Sequence, residues 1–276
     1  MSFLASLSTA GLLIAGLIAL SLVEAVIPLR ARSAWSRGHL LPNLALTAIT
    51  FATNLAFNVP LLAGLVWLQR HGLGLFNAAP IPPIAATLGT VVALDFAWYV
   101  THVSMHHSPL LWRFHAVHHS DPAVDVTTTI RQHPGESVIR YAFLAAFAFA
   151  VGAPPAGFAL YRVWSALHGL FEHANIRLPL WLDSAITLLF SSPNMHKVHH
   201  SRDAALTNRN YTNIFSVWDR LFRTFLPARR GLRVDYGLDG FDAARLQTTQ
   251  GLLTAPFRRL ATSAPTEAPA VGEAAR

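Results

Sequence analysis

The chain has 276 residues, of which 53% are hydrophobic and 13% are charged, and its mean hydropathy is +0.38. Soluble domains carry about 25% charged residues, so the composition argues against an ordinary soluble protein and indicates one that contacts lipid. There is no cysteine, which excludes disulfides and thiolate metal sites. The net charge of +7 comes from scattered arginines, and no nucleic-acid motif accompanies them, so we expect no nucleic acid among the partners.

Three apolar runs in the first hundred residues are long enough to be membrane spans. They cover residues 3–23, 40–68 and 83–100, and about 20 apolar residues suffice to cross a bilayer. The first run lacks the basic start of a signal peptide, so we expect it to be retained. Arg30, Arg32 and Arg37 lie between the first two runs and predict a cytoplasmic loop. The third run then ends on the cytoplasmic side.

A fourth apolar stretch, residues 141–161, contains Gly152-Ala153-Pro154-Pro155 near its middle. Because Pro154 and Pro155 disfavour a straight helix there, the stretch is either one kinked span or two short helices. We predict a hairpin with arms at 138–151 and 156–171, since a single crossing would leave later histidines on the opposite face from earlier ones. Residues 178–190 are predicted to lie along the interface, and the Ala/Pro/Thr/Glu-rich residues from about 261 to be disordered.

The 14 histidines are concentrated after the third run. His102 and His106 are four apart, so on a helix they project from one face. Two H-x2-H-H triplets, each able to serve two neighbouring metals from one helical turn, stand at His115, His118 and His119 and at His196, His199 and His200. One ion accepts about four to six ligands, so eight or more converging histidines predict two ions.

The other histidines are assigned different roles. His39 and His71 lie near span ends and are expected to be ordinary interfacial residues. His107 points about 100° away from His106 on a helix and is expected to be exposed or to support the ligands. His133 is predicted to be structural or supporting.

Side chains that orient metal-bound histidines are also expected, because a ligating imidazole usually donates its second nitrogen to an acceptor. Asp95 and Tyr99 fall on the helical stripe that leads to His102, and Asp95 is a candidate acceptor.

Five segments in order between about residues 90 and 226 carry a family resemblance. They are Asp-Phe-Ala-Trp-Tyr-Val-Thr-His at 95–102, Leu-Trp-Arg-Phe-His-Ala-Val-His-His-Ser at 111–120, Phe-Glu-His-Ala-Asn-Ile at 171–176, Ser-Pro-Asn-Met-His-Lys-Val-His-His-Ser at 192–201, and Asn210-Tyr211 followed by Val-Trp-Asp-Arg-Leu-Phe-Arg-Thr at 217–224. Together they resemble the fatty acid hydroxylase/sterol desaturase superfamily of membrane di-iron enzymes. Where that family usually has glycine, this chain has Thr212 and Arg223.

The resemblance implies an all-α, multi-pass membrane bundle with a histidine-rich di-metal site on its cytosolic face. The expected parts are two transmembrane helices in 1–70, a catalytic region in 71–228 and a C-terminal extension in 229–276. Asp95, Tyr99 and Asp219 are the candidates for contacts behind the ligands. His168 lies five residues before His173, so it would need a π-bulge to share its face. The implied ligands are His102, His106, His115, His118, His119, His168, His173, His196, His199 and His200.

The resemblance further implies two iron ions, replaceable by zinc in purified protein, and O2 as co-substrate. The reaction would hydroxylate or desaturate a C–H bond of a lipid, sterol or fatty-acyl substrate. Electrons would come from a separate ferredoxin- or cytochrome b5-like donor with its reductase. Other oxidations in the family, of alkyl-ether lipids or carotenoids, share such a site, as would a member that has lost catalysis. A metal-handling membrane protein is a further alternative, but it would place its ligands near mid-bilayer.

Overall fold

The computed structural model describes residues 3–31 and 38–258. Its 3₁₀ helices are Val126–Ile130, Ala228–Arg233, Ala244–Gln247 and Ala255–Phe257. The α-helices are α1 (Phe3–Val26), α2 (Leu40–Arg70), α3 (Leu75–Ala78), α4 (Pro83–His107), α5 (Pro109–His119), α6 (Pro134–Val151), α7 (Pro155–His173), α8 (Leu180–Ile186), α9 (Pro193–His199), α10 (Ala204–Thr207), α11 (Val217–Leu221) and α12 (Thr249–Thr254). Within the described residues, β-structure is limited to two isolated bridges. The prediction of an all-α fold is confirmed.

Three helical segments are long and apolar enough to cross a membrane: Leu40–Ala78, Pro83–His107 and Pro134–Val151. The part of α1 from Gly11 to Val26 is apolar but shorter. Helix α2 continues through Pro60 without ending. Arg32, Arg37 and the predicted disordered tail from about residue 261 lie outside the described residues.

The predicted hairpin tip is present between α6 and α7. Gly152 ends α6 in the left-handed conformation, with φ of 62°, and Pro155 begins α7, where its missing N–H leaves no helical bond unmade. The tip packs against the α2–α3 loop so closely that a Cβ on Gly74 would lie 2.4 Å from Cα of Gly152. The two arms differ from the prediction in their packing, because α4 contacts both of them more extensively than they contact each other.

Contacts between helix ends show which ends lie together. Glu24, near the end of α1, accepts hydrogen bonds from the backbone N–H groups of Val126 and Asn175. His39, just before α2, contacts Asp121. The ends of α1, α4 and α7 and the starts of α2 and α6 therefore gather at one end of the bundle, called here the histidine end.

Residues 228–257 pack against the histidine end. The 3₁₀ helix Ala228–Arg233 packs on α9, and a Cβ on Gly231 would lie 2.0 Å from the carbonyl oxygen of Asn194. Phe241 and Leu252 join Leu46 and Trp112 in a buried cluster. Residues on both sides of position 229 thus pack at the histidine end, and the division of the chain there stays a prediction.

Candidate metal centre

Two groups of buried histidines lie at the histidine end. In each group one potential ligand atom per residue lies within 4.8 Å of all the others. The first, called the five-histidine group, comprises His102, His106, His115, His119 and His199. The second, the four-histidine group, comprises His118, His173, His196 and His200. Each H-x2-H-H triplet contributes histidines to both groups, which its helical spacing allows.

In the five-histidine group the Nε2 atoms converge. His115 Nε2 lies 3.0 Å from His102 Nε2 and 3.2 Å from His119 Nε2. The Nε2 atoms of His106 and His199 are buried and have no hydrogen-bond partner. Buried nitrogens are normally paired, so this convergence of imidazoles fits a bound cation.

In the four-histidine group, His173 is the central residue. Its Nε2 lies 3.2 Å from that of His118, 3.0 Å from that of His196 and 3.1 Å from that of His200. A neutral imidazole Nε2 carries either one proton or one lone pair, so at most one of these three contacts is an N–H···N bond at a time. The remaining lone pairs face each other, which a cation between them would resolve.

The two groups adjoin each other. The ring centroids of His119 and His200, which belong to different groups, are 4.7 Å apart. Imidazole nitrogens in this number suit iron, zinc or copper, and the arrangement fits a pair of neighbouring ions.

One loop, residues 208–211, contacts the Nδ1 atoms of three histidines of the five-histidine group. Its backbone and side-chain oxygens accept from the Nδ1 atoms, which leaves the Nε2 atoms free for a metal. The three contacts are His102 Nδ1 to Tyr211 O at 2.6 Å, His106 Nδ1 to Asn208 Oδ1 at 3.2 Å and His199 Nδ1 to Arg209 O at 2.9 Å.

Two buried glutamates that the sequence did not point to also face histidines of the two groups. Glu136 Oε1 lies 3.1 Å from His115 Nδ1, and Glu172 Oε2 lies 3.6 Å from His196 Nδ1. Glu172 adjoins His173 in the Phe-Glu-His motif, which was a usable signal. Glu136 lies in the first turn of α6, far in sequence from His115, and nothing in the spacing of the histidines pointed to it.

Asp95 was predicted to accept a hydrogen bond from His102, but His102 Nδ1 contacts Tyr211 O instead. Its carboxylate accepts from the backbone N–H groups of Ile214 and Phe215, at 3.1 and 3.0 Å, and from Trp218 Nε1 at 2.9 Å. The Asp95 carboxylate therefore holds the segment that follows the 208–211 loop, and it does not hold the His102 ring. The Tyr99 hydroxyl likewise lies 3.0 Å from Thr224 Oγ1.

Asp219 supports His102 indirectly, through the 208–211 loop. Its carboxylate accepts from the backbone N–H groups of Tyr211 at 2.9 Å and Thr212 at 3.1 Å, and from the hydroxyls of Thr212 and Thr224. It thereby fixes the Tyr211 peptide, whose carbonyl oxygen accepts from His102.

His168 is not brought into either group, so the assignment of this residue as a ligand is corrected. Its Nε2 lies 3.1 Å from the carbonyl oxygen of Ser191, and α7 is regular α-helix from Pro155 to His173 without the π-bulge that would turn it toward His173. Its five-residue offset leaves it on another face of α7.

The remaining histidines divide into buried and exposed. His39, expected at the interface, is instead buried and contacts Asp121 at 2.9 Å. His133 is structural, because it accepts from Gly135 N as the N-cap of α6 and contacts Leu253 O. His71 and His107 are exposed, as expected.

The site's electrostatics favour the ligating form of histidine. Burial lowers the pKa of His199 to about 4, and burial together with the neighbouring imidazoles holds the pKa values of His118, His119 and His200 well below the usual range. These imidazoles are therefore neutral at pH 7, as metal binding requires.

Comparison with known proteins bears on this site. Residues 87–224, half of the chain, match the family model of fatty acid hydroxylase. The chain belongs to the fatty acid hydroxylase family. The matched region contains all nine histidines of the two groups.

Curated relatives in this family act on lipids by their names. Ornithine lipid hydroxylase OlsE of Rhizobium tropici is 34% identical over 153 residues, which are 55% of this chain and 45% of that protein. Alkylglycerol monooxygenase of Xenopus tropicalis is 30% identical over 149 residues, which are 54% of this chain and 32% of that protein. The chain thus spans less than half the length of these two relatives. No solved structure matches it.

One family glycine position is explained by backbone geometry. Arg223, where the family usually has glycine, adopts φ of 62°, in the left-handed region that costs a non-glycine residue roughly 1–2 kcal/mol. Thr212 is not in the left-handed region. Its hydroxyl donates a hydrogen bond to Asp219 Oδ2 at 2.5 Å.

Proposed function

We propose that the protein is a membrane-bound, di-iron, O2-dependent oxidoreductase that hydroxylates or desaturates a C–H bond of a lipid. The observation that carries the proposal is the pair of adjoining histidine groups, whose converging Nε2 atoms lie buried at one end of an apolar bundle. The relatives named as lipid hydroxylase and alkylglycerol monooxygenase support the same class of reaction.

The chain's own residues would provide geometry and shielding. Nine histidines would hold the metals, with loop 208–211, Glu136 and Glu172 fixing their orientation. When bound, a pair of iron ions supplies reductive activation of O2 and oxidation of an unactivated C–H bond. The buried position of the nine histidines keeps bulk water from that chemistry. A separate ferredoxin- or cytochrome b5-like protein would supply the electrons.

The location of the site argues against a metal-handling role. Transporters place ionisable ligands near mid-bilayer, inside the spans. Here all nine histidines lie in the last two turns of α4 or α7 or in the segments beyond the long helices, and the deepest, His102, is five residues before the end of α4.

Oxygen dependence tests the function. We expect lipid extracts incubated with the purified protein, iron, a reductant and ¹⁸O2 to gain one ¹⁸O atom per hydroxylated product, or to lose two hydrogens in a desaturation. Mass spectrometry of the extract is the readout, and the same incubation without O2 should give no product. Full turnover under strict anaerobiosis would rule out the mechanism.

We also propose that the histidine end faces the cytoplasm, on the basis of the arginines that follow α1. Because the chain has no cysteine, single cysteines can be labelled without background. Arg113→Cys and Ala204→Cys, both exposed at the histidine end, should react with an impermeant maleimide from one side. His71→Cys, exposed beyond the far end of α2, should react from the other. Labelling of Arg113→Cys and Ala204→Cys from opposite faces would contradict the shared site.

A further inference from the structure

Two arginines lie within the helical bundle, outside the two histidine groups but close to them. Arg140 is the seventh residue of α6, and Arg162 is the eighth residue of α7. They line a small cavity between α4, α6 and α7, together with Trp98, Tyr141 and Tyr161. A charged side chain inside a membrane span is energetically costly, so it is normally paired or functional.

Neither arginine forms an ion pair with an acid among the described residues. Within the described part of the chain, no carboxylate lies within 4.0 Å of either guanidinium. Arg140 donates to Gln132 Oε1, and its Cζ lies 4.0 Å from the centre of the Trp98 ring. Arg162 lies 5.2 Å from the centre of the Tyr141 ring, and its Nε is buried without a hydrogen-bond partner.

Two acids lie near the arginines, and neither forms an ion pair with them; Glu136 Oε2 is buried without a hydrogen-bond partner. Glu136, one helical turn before Arg140, directs Oε1 to His115 Nδ1. Asp95 accepts from the backbone N–H groups of Ile214 and Phe215. Glu136 attracts Arg140 without forming an ion pair with it. Two partly buried guanidinium groups thus share one cavity with one carboxylate nearby, so a further anionic partner would balance their charge.

The cavity also adjoins the candidate metal centre. The Trp98 ring that stacks on Arg140 lies 5.7 Å, centroid to centroid, from the ring of His102 in the five-histidine group. At about 1.5 Å per residue, Arg140 lies roughly 9 Å along α6 from its start at the histidine end. A group bound by the arginines would place the adjoining part of its molecule near the histidines.

We infer that Arg140 and Arg162 bind an anionic group, a carboxylate or a phosphate, of the lipid substrate. A guanidinium presents several N–H donors that match both anions in geometry. That the bound lipid is the substrate rests on the proposed function, whereas the anion site itself does not. The substrate class is therefore a lipid with an ionised group near the oxidised carbon, rather than a neutral alcohol, sterol or hydrocarbon.

Binding competition with the intact, detergent-solubilised protein tests the site without turnover. Unlabelled oleate, oleyl phosphate and oleyl alcohol compete with radiolabelled oleate. We expect the two anions to displace the label at concentrations at least about tenfold lower than the alcohol, since one good charge-assisted contact contributes about that factor. Equal potency of oleate and oleyl alcohol on the wild-type protein would overturn the inference, and this comparison needs no variant.

Variants locate the anion. Arg140→Gln and Arg162→Gln together should abolish the preference for anions while leaving the affinity for oleyl alcohol within about twofold, whereas the exposed Arg113→Gln should retain it. An unchanged preference in the double variant would overturn the assignment to this cavity. If the double variant does not fold, Arg162→Gln alone, whose guanidinium is half-buried, should weaken oleate and not oleyl alcohol.

Turnover distinguishes a substrate from a resident membrane lipid. With O2 and reductant, the bound anionic lipid should itself gain oxygen or lose two hydrogens. An anionic lipid that stays unmodified while another lipid is oxidised would overturn its role as substrate. Anion-selective binding without any lipid oxidation would instead count against the proposed function and leave the anion site standing.

Discussion

Replacing His173 by alanine is expected to reduce the metal content from two ions to about one per chain and to abolish lipid oxidation. His173 Nε2 lies within 3.2 Å of the Nε2 atoms of all three other members of the four-histidine group, so its removal opens that group at its centre. Loss of an outer hydrogen bond to a ligand already costs roughly 10- to 100-fold in affinity or activity, and loss of the ligand itself should cost more. Elemental analysis of protein loaded with iron measures the effect.

His168 supplies the matched control, because it is a histidine on the same helix. Its Nε2 contacts Ser191 O rather than the other histidines, so His168→Ala should keep both ions. If His168→Ala lost an ion and His173→Ala did not, the assignment of the two residues would be reversed. Retention of two ions by His173→Ala would contradict the four-histidine group.

Replacing Asp219 by alanine is expected to weaken the five-histidine group without removing a ligand. The substitution leaves the buried N–H groups of Tyr211 and Thr212 without their acceptor, at roughly 1–3 kcal/mol for each unpaired donor. The loop that accepts from His102, His106 and His199 then loses its support. We expect one of the two ions to be lost to a chelator at a roughly 10- to 100-fold lower concentration than in the wild type, together with a lower thermal midpoint.

Two further variants separate this effect from a general loss of charge. Asp219→Asn keeps one acceptor oxygen and should give an intermediate loss, while Ala at the exposed Asp235 should behave as wild type. Chelator resistance and a thermal midpoint equal to the wild type in Asp219→Ala would show that the Tyr211 peptide is held by other contacts.

Local chemistry in the sequence predicted much of the architecture. The long apolar runs predicted α2 and α4 because backbone groups in lipid must be paired within the segment, which favours helices. Gly152 followed by Pro154 and Pro155 predicted the tip between α6 and α7, since glycine tolerates a left-handed C-cap and proline starts the next helix. The packing of α4 against both arms was not predictable from these local signals.

The histidine spacing alone indicated that each triplet could serve two neighbouring metals from one helical turn, and the structure distributes both triplets over two histidine groups. Only the tertiary structure decided which group contacts the Nδ1 atom of each of these histidines. Asp95 lies on the His102 stripe by periodicity, yet its carboxylate pairs with donors more than a hundred residues away, and Glu136 faces His115 although no spacing relates them. Helical periodicity is a property of one segment, whereas the partner of a buried polar group is whichever complementary group another segment brings within about 3 Å.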